Sequence, residues 1–158
     1  MNKVKIGVIV NTHGIKGEIR IISKFDYKDR VFIVGNTLYT DSNEELKIDS
    51  YRRHKNYDMI TFNGINDIKD VLKYKGKYVY FDKDKLKLND NEYLDEDLIG
   101  LDVYFNNNLI GKLDDIELNA NRKLFVINNK LIPYNDNFIE SIDLSNNKIV
   151  LKNLEGLI

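Results

Sequence analysis

The chain has no cysteine at all, which removes disulfides, thiolate nucleophiles and zinc–cysteine sites together. Its two histidines, His13 and His54, are too few for an imidazole-rich metal centre. No apolar run reaches the 18 or so residues of a membrane-spanning helix. The opening Met1-Asn-Lys-Val-Lys5 runs straight into a strand pattern, without the layout of a signal peptide. Neither a Gly-x-Gly-x-x-Gly loop nor a phosphate loop is present. A serine triad would need a histidine base beside a nucleophile elbow, and neither histidine has one. These absences weigh against redox, metal, nucleotide-cofactor and acyl-transfer chemistry, and the expectation is a soluble cytoplasmic protein without cofactor or metal.

What remains is a chain of 158 residues, 42% apolar, enough for a packed core in one ordinary domain or two small ones. Its net charge of -1 conceals a division. Residues 1–88 carry 18 Lys and Arg against 12 Asp and Glu, a net of +6; residues 89–158 carry 6 against 13, a net of -7. The first half can therefore approach a polyanion, and the second favours a basic partner. Asp82 to Asn91, polar with alternating charge, predicts a linker over 83–91 between domains at 1–82 and 92–158.

Before the linker most segments predict strands. Val4, Ile6, Val8 and Val10 recur with period two, and Glu18 to Ile22 alternates charge with apolar side chain. Between them Asn11 to Arg20 forms a loop displaying His13 and Lys16, with Gly14 and Gly17 able to take backbone angles other residues resist. That loop suits either a partner contact or a plain turn. Ile60 and Phe62 share one strand face, and Tyr78 to Phe81 is strongly β-prone. A short helix is predicted from an Asn66 or Asp67 N-cap to about Tyr74, with Ile68, Val71 and Leu72 as its stripe and Gly76 closing it. After the linker, hairpin turns at Asn106-Asn-Asn108, Asn128-Asn129 and Ser145-Asn-Asn147 join strands at 101–105, 109–118, 123–127, 130–133 and 148–151. Short strands at this spacing predict a small antiparallel barrel. The fold class is thus all-β with one or two short helices, built as two small β-barrels.

Two groups of residues carry candidate chemistry. Lys16, Arg20, Lys24, Lys28 and Arg30 lie near Phe25 and Tyr27, while Arg52, Arg53, His54 and Lys55 lie between Tyr51 and Tyr57. Lysine and arginine neutralise phosphates and exposed rings stack on unpaired bases, although tyrosine and phenylalanine in strands also serve as core. The acidic groups Asp95-Glu96-Asp97 and Asp114, Asp115 and Glu117 read as solvated surface, with Asp97 suited to N-cap the turn at Leu98-Ile-Gly100.

Four signatures in order resemble the family of the ribosome maturation factor RimM. They are Gly7-Val-Ile-Val-Asn-Thr-His-Gly-Ile-Lys-Gly-Glu-Ile-Arg20; Arg53-His54 with Ile60 to Gly64 and the short helix; Glu92-Tyr93-Leu94-Asp95-Glu96-Asp97-Leu98-Ile99-Gly100; and Leu131-Ile-Pro133, Phe138-Ile139, Ile142-Asp143 and Leu154 to Ile158. The resemblance implies a six-stranded N-terminal barrel followed by a PRC-barrel. It also implies a non-catalytic, monomeric factor that binds the immature 30S subunit and assists head assembly and 16S rRNA processing. The partners implied are the small ribosomal subunit, its nineteenth protein and rRNA, with no membrane. The ribosome-binding residues implied are Thr12, His13, Gly14, Lys16, Gly17, Arg20, Arg52, Arg53, Tyr93, Leu94 and Asp97. Leu94 stands where the family usually has a second tyrosine, and leucine keeps apolar area but loses the hydroxyl and the ring face. Asp95 and Glu96 replace what is commonly an aromatic–histidine pair. Two other readings compete: a PRC-type scaffold for a different protein partner, and an unusual carboxylate enzyme.

Overall fold

The strands of the first half close on themselves. In the computed structural model, which describes residues 1–157, they are β1 (Lys3–His13), β2 (Glu18–Ile22), β3 (Thr37–Tyr39), β4 (Glu45–His54), β5 (Tyr57–Phe62) and β6 (Tyr78–Asp82). They form a closed barrel in the order β1-β2-β5-β4-β3-β6, antiparallel at every pairing. Ile6, Ile19, Ile21, Leu38, Ile48 and Phe62 fill its interior. Closure leaves the ladder no free edge.

The alternation expected along β1 changes phase. Val4 and Ile6 are buried as predicted, but the next buried residue is Ile9, and Val8 and Val10 are only half-buried. Register shifts lie between Lys5 and Gly7 against β6 and between Ile9 and Asn11 against β2. An extra residue in one strand carries the following side chains to the opposite face. At Gly7 the neighbouring strand comes close: a Cβ there would lie 2.5 Å from the Ile22 carbonyl oxygen, so only glycine fits.

The helix is shorter than its stripe suggested. Asp67 caps α1 (Ile68–Val71) by accepting a hydrogen bond from Lys69 N, and the chain then tightens into a 3-10 turn over Leu72–Tyr74. Three residues per turn place Tyr74 beneath Val71. Tyr74 is therefore buried while Leu72, expected in the stripe, is half exposed. Gly76 ends the segment at φ +83.

The chain divides into two compact units, Met1–Lys87 and the remainder from Leu88. Within the stretch predicted as linker, Lys83–Lys85 form a 3-10 turn capped by the Asp82 carboxylate, and Leu86 is buried. The second unit contains α2 (Asp95–Leu98), β7 (Asp102–Phe105), β8 (Asn108–Lys112), β9 (Asp115–Asn119), β10 (Arg122–Ile127), β11 (Lys130–Pro133), β12 (Ile139–Asp143) and β13 (Lys148–Leu151). These make a four-stranded sheet, β12-β13-β7-β8, and a three-stranded sheet, β11-β10-β9. Leu98, Val103, Leu113, Phe125, Ile132 and Ile149 belong to their shared core.

Two expectations for this unit need correction. The strands are not wholly antiparallel, because β13 runs parallel to β7. The single strand expected over 109–118 is two strands. The chain leaves the first sheet after Lys112, buries Leu113 in the core, and enters the second sheet at Asp115. Burial of Leu113, not alternation, marks that crossing. The turns at Asn106-Asn107, Ala120-Asn121 and Asn128-Asn129 all have positive φ at both central residues, as type I′ hairpins require. The final residue of the fourth signature, Ile158, lies outside the described residues.

Candidate nucleic-acid and protein interface

Alternation along the barrel strands decides which candidate residues meet. Ile19 and Ile21 point inward, so Glu18 and Arg20 point out. Arg20 is opposite Met59, Met59 is opposite Arg52, and Tyr57 is opposite His54. His13 is opposite Glu18 at the end of β1. The outer face of β2, β5 and β4, with the end of β1, thus gathers His13, Glu18, Arg20, Arg52, His54 and Tyr57.

The cations of this region differ in how they are neutralised. Arg52 holds Glu18 through two hydrogen bonds, Nε to Oε2 at 2.9 Å and Nη2 to Oε1 at 2.7 Å. The Arg52 guanidinium holds the Glu18 carboxyl below the usual carboxylate range, against the opposing effect of burial. Among the described residues Arg20 has no carboxylate partner. Its Nη2 lies 2.7 Å from His13 Nδ1, its guanidinium sits 5.4 Å from the centre of the Tyr57 ring, and its buried Nε has no hydrogen-bond partner. The His13 and His54 rings are 6.0 Å apart.

Arg53, one residue along β4, projects to the other face. There it joins Lys28 and Tyr51 around Asp58, which is fully buried. Arg53 Nη1 donates to Asp58 Oδ1 at 3.1 Å, Lys28 Nζ to Oδ2 at 3.0 Å and the Tyr51 hydroxyl to Oδ1 at 2.6 Å. Burial, then the hydrogen bond to the Asp58 carboxylate, push the Tyr51 hydroxyl up to about 12. Phe32 stacks on Tyr51 at 5.7 Å. A buried carboxylate with several charged or hydroxyl donors is a structural lock, whose loss would strand the remaining charges. Arg52 and Arg53, adjacent in sequence, therefore have separate surroundings.

The loop between β1 and β2 mixes anchored and open positions. Ile68 N donates to the Ile15 carbonyl at 3.0 Å, tying the loop to the start of α1. Gly17 is buried at φ +86, and a Cβ there would come 3.1 Å from the Ile65 carbonyl oxygen. The backbone angle favours glycine there, and the close carbonyl adds to that preference. Gly14, at φ +68, faces open space. Lys16 is exposed and Thr12 is half-buried on β1.

In the second unit Tyr93 packs on the core, and its hydroxyl approaches the Ile142 carbonyl at 3.5 Å. Leu94 is 3% exposed, so its side chain offers almost no surface. Asp97 does not cap the next turn as expected. It lies within α2, whose N-cap position is Leu94 and carries no side-chain cap. Three acidic residues in one helical turn, Asp95, Glu96 and Asp97, complement the positive end of the peptide dipoles. Asp95 accepts from Lys123 Nζ at 2.5 Å. Among the described residues no group of three or more His, Asp or Glu is arranged to hold a metal ion.

His54 and Tyr57, named in the sequence within the basic and aromatic group but not among the implied ribosome-binding residues, belong to the outer-face cluster. The signal was there: His54 follows Arg52 by two, on the same strand face. Asp58 was also legible, as a carboxylate two residues before the inward-facing Ile60.

A closed N-terminal β-barrel followed by a two-sheet β domain defines a two-domain β protein without a catalytic constellation among its described residues. Residues 4–86 match the family model described as the RimM N-terminal domain, and residues 95–157 match that of the RimM PRC barrel domain. The chain belongs to the RimM family. Among its relatives is the ribosome maturation factor RimM of Staphylococcus haemolyticus, 41% identical, with 99% of each chain covered. That of Ligilactobacillus salivarius is 39% identical over the same shares. The solution structure of the N-terminal domain of RimM from Thermus thermophilus aligns at a TM-score of 0.47 with 19% identity, covering 56% of this chain and 98% of that one.

Proposed function

We propose that this chain acts in ribosome maturation without chemistry of its own. It binds the immature 30S subunit, holds part of the head in a productive arrangement and so assists 16S rRNA processing. It leaves when the mature surface no longer fits, which requires different affinity for the two states. The observation that carries this reading is the division of charge along a chain of this family. The +6 half is a closed barrel with cations on its outer face, and the -7 half is a separate unit. The basic half suits rRNA and the acidic half suits a basic ribosomal protein, for which the nineteenth small-subunit protein is the candidate.

Lys16, Arg20, Arg52 and Arg53 are the proposed phosphate-facing residues, with Thr12, His13, Gly14 and Gly17 shaping the loop beside them. Tyr93 and Asp97 are the proposed protein-facing residues, and Leu94 supports them from beneath. Gradient sedimentation of a cell extract at low and moderate salt tests the reading. The protein should travel with free small subunits and be absent from joined ribosomes. Its absence from free small subunits at both salt concentrations would contradict the proposal.

A further inference from the structure

Three arginines occupy the two barrel strands that flank β5, yet one differs from the others. Arg52 is matched by Glu18, and Arg53 shares Asp58 with Lys28. Arg20 is half-buried with no carboxylate partner among the described residues, and its Nε is a buried donor without an acceptor among them. A cation withdrawn from water normally gains a counter-charge in return. Arg20 instead gives one hydrogen bond to an imidazole and rests on a tyrosine ring.

That imidazole contact fixes a proton. Arginine can only donate, so His13 Nδ1 must accept, and the proton of the neutral ring then lies on Nε2. His13 is left with a donor besides those of Arg20. His54 stands 6.0 Å away, ring to ring, and Tyr57 supplies an aromatic face under the guanidinium. One edge of the Arg20 fork is already taken by His13, which disfavours the bidentate grip on a planar carboxylate. Separate donors from an arginine and two histidines suit a phosphate, whose oxygens point in several directions. The surrounding half of the chain carries +6, which favours a polyanion.

We infer that Arg20, His13 and His54, backed by Tyr57, form a binding site for a phosphodiester of RNA, and that Arg52 and Arg53 serve the barrel's own ion pairs. This rests on the proposed function and narrows it, moving the phosphate contact from four cations to one cluster. Arg20 is the central ligand, while Glu18 with Arg52 forms a neutral border.

The test is fluorescence anisotropy of the full chain with labelled single-stranded oligoribonucleotides of mixed sequence, titrated over a range of salt. Arg20→Gln should weaken binding about tenfold and lower the slope of log K against log salt by about one phosphate contact. His54→Gln, at the end of β4, should weaken it about threefold and keeps the test alive if Arg20→Gln fails to fold. Removing an exposed ion pair of the second unit, Asp102→Asn with Lys112→Gln, should change affinity less than about twofold. The inference is overturned by unchanged affinity and slope in the folded Arg20 and His54 variants, by an equal loss in the paired variant, or by no RNA binding of the wild-type chain at low salt. Sedimentation with free small subunits separates the two claims. A wild-type chain that co-sediments while these variants bind RNA normally defeats the phosphate site alone.

Discussion

The two halves of this chain solve the same packing problem in opposite ways. The first closes six strands into a ring, so no strand edge is left over, and its outward surface consists of side chains. The second divides seven strands between two open sheets, with β8, β9, β11 and β12 at the edges. Pro133, the single proline, lies on the edge strand β11, where a missing N–H is tolerated. The closed half places its polar investment in ion pairs and in the Arg20 cluster. The open half places it in turns, and leaves Leu109, Leu118 and Leu131 substantially exposed on edge strands. A ring with cations on its outer face suits a nucleic acid backbone, whereas open edges with exposed leucines and acidic flanks suit a basic protein segment.

The contrast is broken most strongly at Asp58. Asp58→Ala strands Lys28, Arg53 and the Tyr51 hydroxyl, and should lower the stability of the barrel by about 3 kcal/mol, the low end for a buried pair because Lys28 and Arg53 are partly exposed. Urea unfolding followed by amide exchange should show that loss in residues 1–87 and leave the second unit's protection unchanged. A smaller effect is expected from the turns of the open half. Asn128 has φ +50, and its side-chain Nδ2 donates to the Ile110 carbonyl at 2.7 Å. Asn128→Ala combines a left-handed alanine with loss of that bond, and should lower the second unit's stability by about 1–2 kcal/mol by the same measurement.

The smallest effect depends on pH. Tyr51 is raised to about 12 in the folded barrel, against about 10 for an unfolded tyrosine. A raised value means the folded state holds its proton more tightly. The hydroxyl's contribution is then complete below pH 10 and is lost as pH rises toward 12. The stability difference between the wild-type chain and Tyr51→Phe should be constant at neutral pH and shrink across that interval. A difference that stays level through it would show that the hydroxyl does not titrate with folding.

Much of this arrangement was legible in the residues. Alternation located β1, β2 and β5 and β-prone residues located β6, but the three-residue β3 carries no such pattern. Asparagine pairs located three hairpins, but not the β9–β10 turn at Ala120-Asn121. What alternation could not show is where it fails. At Gly7 the register shifts against β6 and Ile9 comes inward, and there β2 approaches closely, neither of which sequence spacing contains. Leu113 looks like one more strand residue, yet it is where the chain passes between sheets. Arg52 and Arg53 look like one basic patch, although period two sends adjacent residues to opposite faces. Their partners Glu18 and Asp58 come from other strands, so only the folded pairing reveals that both charges are matched. Leu94 likewise gives no sign in sequence that its side chain is buried.

Ultraviolet cross-linking of the full chain bound to free small subunits, followed by peptide mapping, most directly tests the assignment of RNA to the closed half and protein to the open one. RNA adducts should fall on residues 11–20 and 50–57, with Tyr57 foremost, while carboxylate-to-lysine cross-links to a basic ribosomal protein should fall on residues 92–157. RNA adducts confined to the second unit, with protein cross-links confined to the barrel, would contradict the account.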